Sequence, residues 1–238
     1  INRPKAKIHK ILMVVGTRPE AIKMAPLYRR LKDCPGMDVS IGLTGQHREM
    51  VRQVFDLFAI KPAFDLDLMQ PNQGLVELTN RVLSGMTEVL KDFAPQLVLV
   101  HGDTTTTFAA ALAAFYLKIP IGHVEAGLRT GDMSQPFPEE MNRVVATRLA
   151  ELHFAATEWA ADNLRREGVP EGRIHITGNT GIDAARGEIV AFLDKAWDRE
   201  NGGWGKSKLV DGRRSAGSST ASARRASSAS ASSCSAAA

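Results

Sequence analysis

Hydrophobic positions fall along this chain in two alternating rhythms. Short, mostly apolar runs lie at residues 11–15, 39–43, 97–100, 121–124, 153–155 and 174–176, those at 11–15 and 97–100 being continuous. Runs of that length are too short for helices and read as strands buried in a sheet. Between them lie segments with helical spacing or Ala-rich, helix-favouring composition, at 17–32, 48–58, 75–93, 108–117, 139–150 and 158–167. Thr17, with Glu20 three residues on, forms a capping box at the first of these helices. Residues 62–72 are polar and punctuated by proline, and the stretch 70–74 has turn chemistry, so both read as connectors. Strands and helices thus alternate throughout residues 8–180, the pattern of an α/β fold with a doubly wound parallel sheet.

The same pattern decides where the polar residues go. Strand–helix–strand crossovers are right-handed and join parallel strands. Asp103, just past one strand, and Glu125, ending the next, therefore emerge at one carboxyl edge, where open α/β sheets hold their ligands. Glu139 and Glu140 follow Pro138 at a helix start, after a Gly-containing loop long enough to fold back over that edge. Taken singly, Asp103 also fits an N-cap, and Glu139 and Glu140 also fit first-turn acids that suit a helix dipole. Glu125 has no capping role in the sequence. Arg18 and Lys23 lie on the opening turns of the first helix, where free N–H groups, the dipole and two cations make an anion site. An ordinary capped helix with surface cations has the same signature. The turn holds one glycine where a dinucleotide fingerprint or a P-loop needs two or three, so it is neither. Gln46 and His47 also fall at the carboxyl edge, a place equally suited to a surface histidine.

Composition narrows the function classes. The formal charge is +4, but residues 186–238 hold nine Lys or Arg against five Asp or Glu, which leaves 21 of each in residues 1–185. The body is neutral and lacks a basic stripe interleaved with aromatics, which argues against nucleic acid. Cys34 and Cys234 are too far apart to indicate a disulfide framework or a zinc site. No apolar run approaches the roughly 20 residues of a membrane span, and no signal-peptide pattern opens the chain. A soluble, cytoplasmic protein is the expectation. The chain starts at Ile1 rather than Met, as a processed chain or a piece of a longer one does. From Ser215 onward 19 of 24 residues are Ser or Ala, with none large enough to build a core. Residues 185–238 therefore read as an aberrant low-complexity tail that cannot offset its ordering entropy.

Six stretches carry a resemblance: GTRPEAIKMAPL (16–27), TGQHREM (44–50), LVHGDTTTT (99–107), GHVEAGLRTGD (122–132), PFPEEMNR (136–143) and ITGNTGIDA (176–184). Together, in this order, they resemble the non-hydrolysing UDP-N-acetylglucosamine 2-epimerase family across nearly all of residues 8–184. The resemblance implies a Rossmann-like N-terminal domain at 8–184, one half of a two-domain glycosyltransferase-like (GT-B) architecture whose second half is missing here. It implies conversion of UDP-N-acetylglucosamine to UDP-N-acetylmannosamine for cell-surface polysaccharide precursors. The family route eliminates UDP to a 2-acetamidoglucal and re-adds it, with the C2 proton returned to the opposite face. That chemistry needs carboxylates near both sugar faces and cations for the departing diphosphate.

By the same resemblance Asp103, Glu125 and Glu139 are the catalytic acids, and Arg18 and Lys23 serve the substrate and nucleotide site. Arg143 is a further substrate-site residue. Gln46, His47 and Gln73 match residues that help bind a second, activating UDP-N-acetylglucosamine. No metal and no cofactor is implied, and the full-length family is homodimeric. Without the second domain's catalytic histidine, nucleotide contacts and closing motion, the chain alone is expected to show little or no turnover. Two other readings stand beside this one, a non-catalytic UDP-sugar-binding fragment and a nucleotide-sugar glycosyltransferase. Three acids at one edge favour C2 chemistry, since glycosyl transfer needs no proton donors on both sugar faces.

Overall fold

The alternation of apolar runs and helical segments produces, in order, β1 (His9–Val15), α1 (Arg18–Lys32), β2 (Met37–Leu43), α2 (Arg48–Leu57), β3 (Phe64–Asp65), α3 (Leu75–Phe93), β4 (Leu97–His101), α4 (Thr105–Tyr116), β5 (Ile121–Ala126), α5 (Glu139–Leu149), β6 (Leu152–Ala155), α6 (Glu158–Arg166) and β7 (Ile174–Ile176). The computed structural model describes residues 9–45, 48–70 and 73–182. Gln46, His47 and the tail at 185–238 lie outside the described residues.

All seven strands are parallel, in the order β3-β2-β1-β4-β5-β6-β7. Both faces of the sheet are covered, as strands this apolar on successive positions require. Leu12 and Val14 of β1 pack with α3 and α4, whereas Ile11, Met13 and Val15 pack with α1 and α2. The chain winds outward from β1 to β3 and then returns to β4 on the other side. The loops after β1 and β4 consequently diverge and open a crevice at the carboxyl edge, the usual ligand position in such sheets. Among the described residues, no helix is long and apolar enough to cross a membrane.

Two elements differ from the sequence pattern. Helix α4 starts at Thr105 rather than Phe108, because Thr104 is its cap and its Oγ1 accepts from Thr107 N at 3.1 Å. Asp103 is thereby released from capping. The stretch 62–72 is not only a connector, since β3 pairs with β2, and Leu66 N and Leu68 N donate to Leu43 O and Thr44 O at 2.9 Å each. Leu66 and Leu68 pack against the core while Asp65 and Asp67 face outward, so residues 65–68 alternate as the edge of a sheet does.

Candidate functional site

The crevice is built on a buried carboxylate. Glu20, on the first turn of α1, accepts from Gly16 N at 2.6 Å, Thr17 N at 2.8 Å and Thr104 Oγ1 at 2.6 Å. The first two bonds close the α1 cap, and the third ties the β1–α1 loop to the β4–α4 loop. Burial raises the Glu20 pKa against the lowering effect of these hydrogen bonds. Gly16 is what lets the loops approach, because a Cβ there would stand 2.4 Å from Thr106 Oγ1 and 2.7 Å from Thr44 Oγ1.

Between these loops and the start of α5 lies a cleft of about 420 Å³, lined among others by Lys23, His101, Asp103, Glu125 and Glu139. The topology thus brings together three of the four carboxylates singled out in the sequence, Asp103, Glu125 and Glu139. Glu125 sits near the end of β5 at φ +62°, a left-handed conformation uncommon for a glutamate, where the β5–β6 register slips between Val124 and Ala126. The slip aims its side chain at the cleft. Lys23 Nζ donates to both Glu125 oxygens, at 2.6 and 2.8 Å, and Asn179 Nδ2 approaches Oε1 at 3.4 Å.

Asp103 receives Arg143 Nη2 at 2.5 Å, while Asn142 Nδ2 holds its backbone carbonyl at 2.9 Å. Burial pushes the Asp103 carboxyl upward; the Arg143 guanidinium opposes this, and the nearby charges of Glu139 and Glu125 reinforce it. Glu139 lines the cleft, and its carboxylate makes no hydrogen bond or ion pair to a described residue. Glu140 is turned the other way. It is 1% exposed and accepts from Thr130 N and Gly131 N at 3.0 Å each, so it shapes the loop between β5 and α5.

Two histidines escape the sequence reading. His101, the last residue of β4, is 4% exposed and lines the cleft with Nε2 3.5 Å from Glu125 Oε2. Burial, helped by the charge of Lys23, lowers its pKa to about 3, so the imidazole is neutral and the contact is no ion pair near neutral pH. His123 is fully buried on β5, and its Nε2 lies 2.7 Å from Gly102 O. A carbonyl only accepts, so that nitrogen carries the proton. The bond pins the turn at Gly102, whose φ of +69° turns the chain out of β4 toward Asp103. The one available signal was a histidine ending an otherwise apolar strand.

The remaining candidates lie further out. Arg18 is exposed at the start of α1 and does not line the cleft. Gln73 lies before α3, where its Oε1 accepts from Gln70 N at 3.1 Å, two residues from the cleft-lining Leu75. Gln46 and His47 are outside the described residues.

A doubly wound parallel sheet, with a polar cleft at the point where its strand order reverses, defines an α/β Rossmann-like domain of the GT-B kind. The family model described as UDP-N-acetylglucosamine 2-epimerase matches residues 29–206. The chain belongs to that family. It is 58% identical over 175 residues to the UDP-N-acetylglucosamine 2-epimerase of Salmonella typhimurium strain LT2, covering 74% of this chain and 46% of that protein. The Bacillus subtilis strain 168 relative is 55% identical over the same shares. Among solved structures, the UDP-GlcNAc 2-epimerase from Neisseria meningitidis bound to UDP-GlcNAc is similar with a TM-score of 0.74 at 49% identity, over 80% of this chain and 52% of that one. The chain spans about half the length of the curated relatives it matches.

Proposed function

We propose that this domain supplies the proton-transfer face of a UDP-N-acetylglucosamine 2-epimerase, which inverts C2 to give UDP-N-acetylmannosamine. The observation that carries the reading is the convergence of Asp103, Glu125 and Glu139 on one cleft, with Lys23 and Arg143 already on two of them. The C2 proton is not next to a carbonyl, so removing it alone would leave an unstabilised carbanion. Loss of UDP in the same passage avoids that, because the electrons released at C2 form the glucal double bond as the C1–O bond breaks. A carboxylate takes the proton, and cations with a helix N-terminus hold the departing diphosphate. Re-addition of UDP with a proton delivered to the other face completes inversion.

Asp103, with its carboxyl held upward by burial, suits proton exchange closer to neutral pH. Lys23, on the second turn of α1, and the more exposed Arg18 serve the diphosphate. Arg143 orients Asp103 and reaches the substrate site. Gln46, His47 and Gln73 bind a second, activating UDP-N-acetylglucosamine in a homodimeric, cytoplasmic full-length protein. Residues 8–184 form the N-terminal domain of that protein, 185–238 lie outside it, and the 238-residue chain by itself turns over little or no substrate.

The test joins residues 1–184 to the matching second half of the Salmonella typhimurium relative and follows UDP-N-acetylglucosamine by chromatography. The manno epimer is expected, with rates at least ~100-fold lower for Asp103→Asn and for Glu125→Gln, the usual scale for a lost general acid or base. Sugar transfer to an added acceptor with C2 unchanged would point to a glycosyltransferase instead.

A further inference from the structure

We propose that His101 is a positioning residue for Glu125, a neutral imidazole whose Nε2–H holds one oxygen of that carboxylate in the cleft. The proposal rests on reading Glu125 as a proton-transfer group. Three observations on geometry lead to it. His101 is 4% exposed yet lines the cleft, and neither ring nitrogen has a hydrogen-bond partner among the described residues. Buried polar atoms are nearly always partnered in native proteins, so an orphaned pair at a site wall is a group awaiting a contact. Glu125 Oε2 faces the ring, 3.5 Å from Nε2 and a few tenths of an ångström beyond a hydrogen bond.

Glu125 also needs such a partner. Lys23 holds both of its oxygens, at 2.6 and 2.8 Å. Lys23 is also the cation that an arriving diphosphate would draw, and among the described residues Glu125 would then keep only the 3.4 Å hydrogen-bond approach of Asn179. His101 lies behind the carboxylate on the neighbouring strand, one residue before the turn that presents Asp103. From there its N–H fixes the carboxylate when the lysine turns to the ligand. A neutral donor does this without cancelling the negative charge that makes the carboxylate a base, which an imidazolium would do. Burial, which lowers its pKa to about 3, keeps the ring neutral near neutral pH.

The first test needs no turnover. In the 238-residue chain with ¹⁵N-labelled histidine, the His101 ring signals, assigned through His101→Gln, are compared with and without Glu125→Gln. The proposal expects a neutral ring protonated at Nε2, with that signal displaced by Glu125→Gln and by addition of UDP. A His101 signal indifferent to Glu125→Gln overturns it. The second test measures C2 proton exchange kinetics in the two-domain fusion described above. His101→Phe should lower kcat roughly 10- to 100-fold, the scale of a reacting group misplaced by about 1 Å, with KM little changed. His101→Gln, which returns an N–H near the Nε2 position, should recover most of the loss. An unaltered kcat in a folded His101→Phe protein overturns the proposal, as does a loss confined to KM. Should the fusion show no exchange at all while Glu125→Gln still displaces the His101 signal, the contact stands and the epimerase reading falls. The two failures are therefore distinct.

Discussion

Glu125 occupies a conformation that a carboxylate-bearing residue adopts at a cost. At φ +62° an L-side chain is strained by about 1–2 kcal/mol relative to glycine. Glu125→Gly and Glu125→Ala both lose the ion pair to Lys23, but only the alanine keeps the strain. Urea unfolding should therefore find the glycine variant more stable by about 1 kcal/mol. Asp103 offers a second test. Arg143 is the leading influence holding its carboxyl down against burial and against Glu139 and Glu125. Arg143→Met should move the Asp103 titration to higher pH, visible as an upward shift of that limb in the pH profile of exchange by the two-domain fusion. Asp103 and Glu125 were legible in the sequence because parallel topology alone brings strand ends to one edge, whereas Glu139 was told from Glu140 only by the resemblance. His101 and Glu20 were not, because their roles depend on which loops pack against them, and local sequence does not state that.

Helices α1 and α4 open on opposite sides of the crevice, and one carboxylate joins them. Glu20→Ala would leave Gly16 N, Thr17 N and the Thr104 hydroxyl without their partner in a buried place. The loss should be roughly 3 kcal/mol or more, since each buried donor left unsatisfied costs about 1–3 kcal/mol. Thr104→Ala removes the α4 cap as well as the link to Glu20, and should cost at least about 1 kcal/mol. Chemical denaturation reads both. The Thr17 to Glu20 capping box was visible in the sequence because it is local, three residues apart. The start of α4 was misplaced because a run of four threonines has the β-branched character of strand or loop, whereas here Thr104 caps and the next three are buried in the first turn. Strand β3 was missed because two residues at a sheet edge leave too short a pattern to read.

Across the whole molecule, the core holds His101, His123 and His153 neutral, with pKa values lowered chiefly by burial to about 3, 3 and 4. Lys23, Arg129 and Arg173 add to the lowering, and Glu167 opposes it beside His153. In the unfolded chain these groups take up protons near pH 6.5, and in the folded chain only much lower. Between those limits the unfolded state binds more protons, so stability falls as pH falls, by up to about 1.4 kcal/mol per histidine per pH unit. Glu20 and Asp103, pushed upward by burial, act in the opposite sense. The urea midpoint should drop from pH 6.5 toward 4, and His153→Leu should make that slope shallower. The central claim, that this carboxylate cleft exchanges the C2 proton of a nucleotide sugar, is tested most directly by proton NMR of UDP-N-acetylglucosamine in D2O with the two-domain fusion. Loss of the C2 proton signal with growth of the manno epimer, both abolished by Asp103→Asn with Glu125→Gln, is the result expected. A C2 signal that persists undiminished in a folded, UDP-binding protein would contradict it.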